Sequence, residues 1–192
     1  TESVFSMKPH QLGFQIDLSR CIGCQACVRA CRHKHAENNT AFRHLKSIED
    51  SYNYLTLACN HCATPECMRV CPSHCYDKLR NGIVIHHSTR CTGCGRCVTA
   101  CPFHAPQLIP QTKKIDKCDL CYDRLQQELP PACVNACLVG ALRLVDLRTI
   151  PPHLLKIPSS YAMTQYTRPS ICILPAHPTV CFWRKETHHV CD

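Results

Sequence analysis

The sequence is poor in aromatic residues and in long apolar runs. Phe, Trp and Tyr make up 6% of its 192 residues, with a single Trp, so the side chains alone offer little material for a hydrophobic core. No apolar stretch approaches the roughly 18 residues that cross a bilayer, and the first residues lack the charged-then-apolar pattern of a secretory signal. We therefore expect a soluble or peripheral protein that does not reach the membrane interior by itself.

Runs of basic residues are also missing, although the formal net charge is +8. A nucleic-acid-binding protein presents a Lys/Arg run or a basic stripe interleaved with aromatic residues, and this sequence has neither. Its 13 histidines occur without the C-x-x-C-H motif of covalent haem attachment. These absences argue against a nucleic-acid partner and against a haem protein.

Cysteine, by contrast, is abundant, and 16 of the 20 cysteines fall into four consecutive quartets. The quartets are Cys21, Cys24, Cys27, Cys31; Cys59, Cys62, Cys67, Cys71; Cys91, Cys94, Cys97, Cys101; and Cys118, Cys121, Cys133, Cys137. The first and third have the ferredoxin spacing C-x2-C-x2-C-x3-C, in which three thiolates hold one 4Fe-4S cluster and the fourth binds a second cluster. The second quartet widens one gap to four residues and the fourth widens it to 11. The pattern predicts four 4Fe-4S clusters with these 16 cysteines as iron ligands.

Other uses of cysteine fit this spacing less well. A zinc site takes two pairs separated by a longer stretch and does not need a third cysteine three residues on. A disulfide framework needs an oxidising compartment, and cysteines so close in sequence are poorly placed to bridge distant segments. The charge agrees with clusters, since an oxidised 4Fe-4S core with four thiolates carries about −2 and four of them offset the +8 of the protein.

An internal repeat supports a ferredoxin-like construction. Residues 19–31 recur 70 positions later as residues 89–101, and each copy follows a short apolar segment, Phe14–Ile16 or Ile83–Ile85. The repeat predicts a strand, a cluster-binding loop and a short helix that begins at the third cysteine.

Proline indicates which quartets exchange a ligand. Pro72 and Pro102 follow the closing cysteines of the second and third quartets, whereas Arg32 and Leu138 follow those of the first and fourth. We infer that the second and third quartets form one ferredoxin-like unit, inserted into a unit made from the first and fourth. The alternative, in which each quartet binds its own cluster, is less favoured because the C-x3-C helical step turns the fourth thiol away.

This pairing defines four groups of predicted ligands. They are group A, Cys21, Cys24, Cys27 and Cys137; group B, Cys31, Cys118, Cys121 and Cys133; group C, Cys59, Cys62, Cys67 and Cys101; and group D, Cys71, Cys91, Cys94 and Cys97. The predicted fold is α+β, with two 2x(4Fe-4S) ferredoxin-like units. The first comprises residues 1–50 and 112–147, the inserted unit comprises residues 51–111, and an extended partner-binding tail follows over residues 148–192.

The tail is punctuated by prolines and shows little periodicity, which favours an extended conformation. It also contains five residues of the types that bind zinc, namely Cys172, Cys181, His188, His189 and Cys191. Their irregular spacing makes a zinc site a poor interpretation.

Five segments extend the pattern beyond the cysteine spacing. They are Cys59–Cys62, Cys71–Ser73, Ala100–Gln107, Lys117–Asp119 and Cys121–Arg124. With the quartets, they resemble the four-cluster iron-sulfur (B) subunits of complex molybdopterin oxidoreductases, most nearly the dimethyl sulfoxide reductase type, over roughly residues 13–147.

The resemblance implies a non-catalytic electron-transfer subunit. Its four 4Fe-4S clusters would relay electrons between a membrane anchor subunit that reacts with quinol or quinone and a catalytic subunit that carries a molybdenum or tungsten pterin. The unit built from the first and fourth quartets would face the catalytic subunit. The protein would lie peripherally on the bacterial cytoplasmic membrane through its partners, on either the periplasmic or the cytoplasmic face. A free-standing polyferredoxin-type carrier is the alternative.

Several further residues are candidates for contact with the clusters. Gly23 and Gly93 are predicted to let the loop approach a sulfide and donate an N–H to it, with ordinary turn glycines as the alternative. His61, Lys117 and Arg124 are candidates for hydrogen bonds to a cluster or for a docking interface, with solvated surface as the alternative.

Cys75, beside His74, departs from the family pattern, which usually has small residues there. It is a spare ligand, a redox-sensitive thiol or the filler of a small cavity. The filler is favoured because free cysteine behaves as a small buried hydrophobe.

Overall fold

The fold is built from short elements separated by the cysteine-rich loops. The computed structural model describes residues 11–48, 53–151 and 164–175. The strands of these residues are β1 (Leu12–Asp17), β2 (His44–Ser47), β3 (Tyr54–Leu57), β4 (Tyr76–Lys78), β5 (Val84–His86), β6 (Gln107–Ile109), β7 (Lys114–Asp116), β8 (Leu142–Asp146) and β9 (Ile171–Leu174). The α-helices are α1 (Ala26–Lys34), α2 (Glu66–Arg69), α3 (Arg96–Ala100), α4 (Tyr122–Gln126), α5 (Ala132–Asn135) and α6 (Thr164–Thr167). The predicted α+β class is confirmed.

A three-stranded sheet joins the beginning of the described residues to their end. Its order is β8-β1-β9, with β1 antiparallel to β8 and parallel to β9. Phe14 and Ile16 of β1 are buried, since their side chains leave the same face of the strand. Gly13 lies where β1 approaches the backbone before β9, and a Cβ atom there would stand 2.2 Å from the carbonyl oxygen of Ser170. Only glycine allows this approach.

Three two-stranded antiparallel hairpins, β2–β3, β4–β5 and β6–β7, complete the described strands. Helix α1 packs against α5, and α2 packs against α3. The larger core combines apolar side chains such as Phe42, Leu55 and Ile83 with cysteines of several quartets. The interior is therefore organised around the thiols.

The predicted repeat agrees closely with these elements. Residues 14–16 lie inside β1, and residues 83–85 overlap β5. The four helices α1, α2, α3 and α5 each begin one residue before the third cysteine of a quartet, which is within the usual uncertainty of a helix boundary.

The predicted extended tail over residues 148–192 is wrong for its described part. Residues 171–174 form β9 inside the core sheet, and Cys172 is buried there. The preceding residues also bond to the core, because the amide of Ser170 donates to Asn60 O at 2.8 Å and that of Ala63 donates to Arg168 O at 2.8 Å. Of the possible zinc ligands, Cys181, His188, His189 and Cys191 lie outside the described residues. None of the described helices is long and apolar enough to cross a bilayer.

The role of β9 can be tested by shortening one of its buried side chains. We expect Ile173→Ala to lower the free energy of unfolding by about 2–4 kcal/mol, because it leaves a cavity beside Ile16. The matched control is Leu108→Ala in β6, since Ile173 is 5% exposed and Leu108 is 55% exposed. Urea unfolding followed by circular dichroism measures both changes. Equal effects would contradict the packing of β9 on the core.

Candidate metal centres

Three cavities in the described structure are each lined by four quartet cysteines. The cavity of group B has an empty volume of ≈ 280 Å³, that of group C ≈ 370 Å³ and that of group D ≈ 270 Å³. In each of them the fourth cysteine comes from a different quartet than the other three. In group A, burial raises the pKa of Cys21, and the charges of Cys27, Cys137 and Cys24 raise it further. These four cysteines are therefore within the range of electrostatic interaction. The structure thus brings together all the cysteines that the sequence analysis grouped.

Burial favours the protonated form of several of these thiols. Burial, followed by the charge of Cys59, raises the pKa of Cys62 and of Cys67 to about 12. Burial likewise raises the pKa of Cys121 to about 11. A bound metal must displace these protons, because the thiolate is the form that coordinates.

The first loop of every quartet contains a residue with left-handed backbone. It stands two residues after the first cysteine, and φ is +71° at Gly23, +42° at His61, +74° at Gly93 and +64° at Leu120. This conformation directs the amide to the preceding sulfur, as in the bonds from Gly93 N to Cys91 Sγ at 3.3 Å and from Leu120 N to Cys118 Sγ at 3.4 Å. The Gly93 amide thus donates to a cysteine sulfur, and its donation to a cluster sulfide stays a prediction. A hydrogen bond to sulfur is one of the means by which a protein raises the potential of a cluster.

A second turn follows the closing cysteine of three quartets. The third residue after the closing cysteine has positive φ in these quartets, namely His74, His104 and Gly140. The amide of each donates to the carbonyl oxygen of its closing cysteine, at 3.3, 3.1 and 3.0 Å respectively. The next residues in the sequence, Cys75, Ala105 and Ala141, are all buried.

A buried guanidinium lies between groups A and B. Arg43 is 1% exposed and stacks on Phe14 with 4.2 Å from Cζ to the ring centroid. Its Nη1 donates to Thr56 O at 3.3 Å and to Thr56 Oγ1 at 3.2 Å. Thr56 Oγ1 in turn lies 3.5 Å from the sulfur of Cys27, a member of group A.

The thiols explain how this charge is tolerated in the interior. Burial alone would lower the pKa of Arg43, but the negative charges that Cys133, Cys118 and Cys27 carry as thiolates outweigh this effect and raise the pKa. Its Nε and Nη2 have no oxygen or nitrogen acceptor among the described residues. A buried cation of this kind requires an anionic neighbour, and a cluster held by the neighbouring thiolates would supply one.

Two lysines, one buried and one half-buried, lie beside group C. Lys117 is buried at the wall of its cavity, where Nζ donates to the carbonyls of Val84 and Cys118. Lys78 Nζ donates to Cys62 O at 2.8 Å. His61 is also buried, and its Nδ1 accepts from the amide of Val84 at 3.0 Å.

The histidine is neutral in this setting. Burial and the charges of Lys117 and Lys78 hold the pKa of His61 well below its usual value. Of the three predicted polar contacts, His61 and Lys117 therefore lie in the interior near group C. Arg124 does not, because its Nε donates to Pro130 O at 2.8 Å on the protein surface.

The four groups follow one another in the order A, B, C, D. Arg43 couples A to B through Cys27 and Cys133. Burial and then the charge of Cys59, in group C, raise the pKa of Cys118, in group B. Tyr76 is buried between groups C and D, where burial and the nearby thiolate charges of Cys97 and Cys67 raise its pKa.

Arg43, Thr56 and Tyr76 were not predicted from the sequence. Each is a single residue of a common type outside the quartets, and no spacing rule marks it. Only the tertiary structure shows that they lie beside the thiols.

The comparisons with known proteins agree with this chemistry. The 4Fe-4S dicluster domain family matches residues 51–147, and a 4Fe-4S binding domain matches residues 14–34. The B chain of the anaerobic dimethyl sulfoxide reductase of Escherichia coli is 35% identical over 183 residues, which cover 86% of this chain and 89% of the relative. The chain therefore belongs to the iron-sulfur electron-transfer subunits of complex molybdopterin oxidoreductases. Its cofactors are four 4Fe-4S clusters, as predicted, and it is an electron-transfer subunit of a reductase complex, not a catalytic one.

Other relatives belong to different reductases. The B subunit of the tetrathionate reductase of Salmonella typhimurium is 38% identical over 153 residues, covering 75% of this chain and 60% of the relative. The thiosulfate reductase electron transfer subunit PhsB of Salmonella typhi is 41% identical over 137 residues, covering 66% and 71%. Because the chain is similar to subunits of reductases that act on different substrates, this similarity does not identify the substrate of its own complex.

The position of Arg43 predicts an electrostatic effect on two clusters of this subunit. Arg43→Met removes one buried positive charge and keeps an unbranched side chain. A charge about 6 Å away contributes on the order of 3 kcal/mol at an effective dielectric constant of about 20. We therefore expect the reduction potentials of the clusters in groups A and B to fall by on the order of 100 mV, since each cluster takes up one electron, and redox titration with electron paramagnetic resonance (EPR) measures this fall.

The matched control for this change is Arg43→Lys, which keeps the charge and should leave both potentials close to those of the wild type. Unchanged potentials in the Met variant, or an equal shift of all four clusters, would contradict the assigned position of the charge.

Proposed function

We propose that this chain relays electrons between a catalytic subunit with a molybdenum or tungsten pterin and a membrane anchor subunit that reacts with quinol or quinone. The observation that carries the proposal is the succession of four thiol groups, in which electrostatic contacts join A to B, B to C and C to D. All eight cysteines of the inner groups B and C lie in the described residues, and none of them is exposed. By contrast, Cys24 of group A and Cys94 of group D are exposed. Electrons would enter and leave at the two ends.

We propose groups A to D as the ligand sets of the four clusters. The three cavities support this assignment, because each is lined by the four sulfurs of one group. The clusters supply the electron storage. The protein holds them through the thiolates, excludes water from groups B and C, and places N–H donors and cations beside the sulfurs.

We also propose the nested arrangement of two ferredoxin-like units. It is supported by the pairing of β1 with β8 and by the packing of α1 on α5, which connect residues 1–50 with residues 112–147. The packing of α2 on α3 connects the second and third quartets. The boundary at residues 111 and 112 falls in the turn of the β6–β7 hairpin, so this hairpin would be shared by both units.

Association with the bacterial cytoplasmic membrane would occur through the partners. The similarity to the B chain of the anaerobic dimethyl sulfoxide reductase supports such an assembly, in which the outer unit faces the catalytic subunit and the inserted unit faces the anchor. A free-standing carrier is not favoured, because the relatives are subunits of reductases.

Composition of the native assembly tests this function. Purified anaerobically, it should contain about 16 iron and 16 sulfide ions per copy of this chain, in addition to those of its partners. It should also contain molybdenum or tungsten, a large pterin-binding chain and a membrane chain. A chain that purifies alone with its full iron content would instead be a free carrier.

Paired substitutions test the ligand sets. Cys31 and Cys118 belong to the same proposed group, so Cys31→Ser/Cys118→Ser should perturb a single cluster and remove at most about four irons. The matched control is Cys21→Ser/Cys31→Ser, two cysteines of one quartet, which should perturb two clusters. Iron analysis and EPR count the clusters affected. The reverse result would mean that each quartet binds its own cluster.

A further inference from the structure

The cavity of group D contains a fifth thiol. Cys75 is 1% exposed and lines this cavity together with Cys71, Cys91, Cys94 and Cys97. A 4Fe-4S cluster takes four thiolates, so one sulfur more than it needs faces the same space. This additional sulfur, that of Cys75, lies four residues after Cys71 in the same segment.

The geometry of the turn brings these two cysteines together. The amide of Cys75 donates to Cys71 Sγ at 3.4 Å, and Cys75 Sγ lies 3.7 Å from Ser73 O. The sulfurs of Cys75 and Cys91 and a ring nitrogen of His86 all lie within 4.8 Å of one another. The sulfur of Cys75 therefore shares one cavity with the sulfurs of Cys71 and Cys91.

The other repeats show that this position does not need a thiol for packing. The corresponding residue after Cys101 is Ala105, and that after Cys137 is Ala141. Both are buried behind the same kind of turn as Cys75. A methyl group fills the position in these two cases, so the sulfur of Cys75 adds chemistry that packing does not require.

A second polar group points to a ligand in the same place. The side chain of His86 is 2% exposed and lines the cavity of group D. Neither of its ring nitrogens has a hydrogen-bond partner among the described residues, and the Asp116 carboxylate stands 3.9 Å away. Buried polar atoms without partners are costly, which indicates that His86 bonds to an occupant of the cavity or to a sulfur bound to it.

We propose that Cys75 is a reserve iron ligand for group D and can take the place of Cys71. The inference rests on the proposed assignment of group D. Assembly of the cluster releases four thiol protons whichever cysteine is used. The Cys75 thiol loses the proton that Cys71 would have lost, and its sulfur forms the bond to iron that Cys71 would have formed, with no change of oxidation state. His86 can donate an N–H to the sulfur that carries the charge.

Alanine substitutions in the complete complex, purified anaerobically, test this role. Cys71→Ala should keep the wild-type iron and sulfide content and four clusters by EPR, because Cys75 replaces the missing ligand. Cys71→Ala/Cys75→Ala should lose up to about four irons. Cys75→Ala alone should keep the wild-type iron content, since Cys71 is present.

The third quartet offers a matched control. Cys101 is followed by Pro102 as Cys71 is by Pro72, but Ala105 stands where the reserve thiol would be. Cys101→Ala should therefore lose iron as the Cys71/Cys75 double variant does. The double variant Cys101→Ala/Ala105→Cys should regain part of the lost iron. An iron content no higher than that of Cys101→Ala would count against the proposal.

The decisive comparison is between the Cys71→Ala variant and the double variant. If the two are equally poor in iron, or if both fail equally to assemble, the reserve ligand is overturned. The wild-type protein separates this failure from a failure of the proposed function. If the wild-type protein contains four clusters, the proposed electron relay stands even when the reserve ligand is overturned. If the wild-type protein lacks them, the proposed relay itself is contradicted.

Discussion

The structure depends on placing strong negative charge inside a small protein. Four clusters with their thiolates carry about −8, and this charge is balanced by the formal charge of +8 on the protein. The balance is also local, because Arg43 stands beside groups A and B while Lys117 and Lys78 stand beside group C. Without a cluster, Nε and Nη2 of Arg43 would have no oxygen or nitrogen acceptor among the described residues. The apolar core and the inorganic core are therefore stabilised together.

The backbone meets this constraint through one repeated geometry. A left-handed residue after the first cysteine directs an amide to a sulfur, and in two quartets it is the bulky residue His61 or Leu120. Such a residue costs on the order of 1 kcal/mol or more. Both side chains are fully buried, so packing in the core offsets the strain. Glycine serves the same position in the other two quartets, where the loop passes close to Tyr54 or to Lys113.

Sequence reasoning found the features that depend on spacing. The cysteine quartets, the strand before the loop and the start of each helix follow short-range rules, and β1 and α1 lie where these rules place them. Long-range features gave no such signal. Strand β9 was missed because a four-residue apolar segment between prolines does not reveal that its partner is β1, more than 150 residues earlier. Arg43 was missed because its importance comes from Thr56 and from thiols on other segments.

The difference between inner and outer groups has a consequence for the relay. Groups B and C have no exposed cysteine and contact internal cations, so the fold of this protein alone sets their surroundings. Groups A and D each include an exposed cysteine, Cys24 or Cys94, and a docked partner would remove water from that sulfur. Because burial and hydrogen bonding set the potential of a cluster, binding of a partner should change the potentials at the ends more than those in the middle. The ends of the relay are therefore tuned by the assembly, and its centre is tuned by the fold.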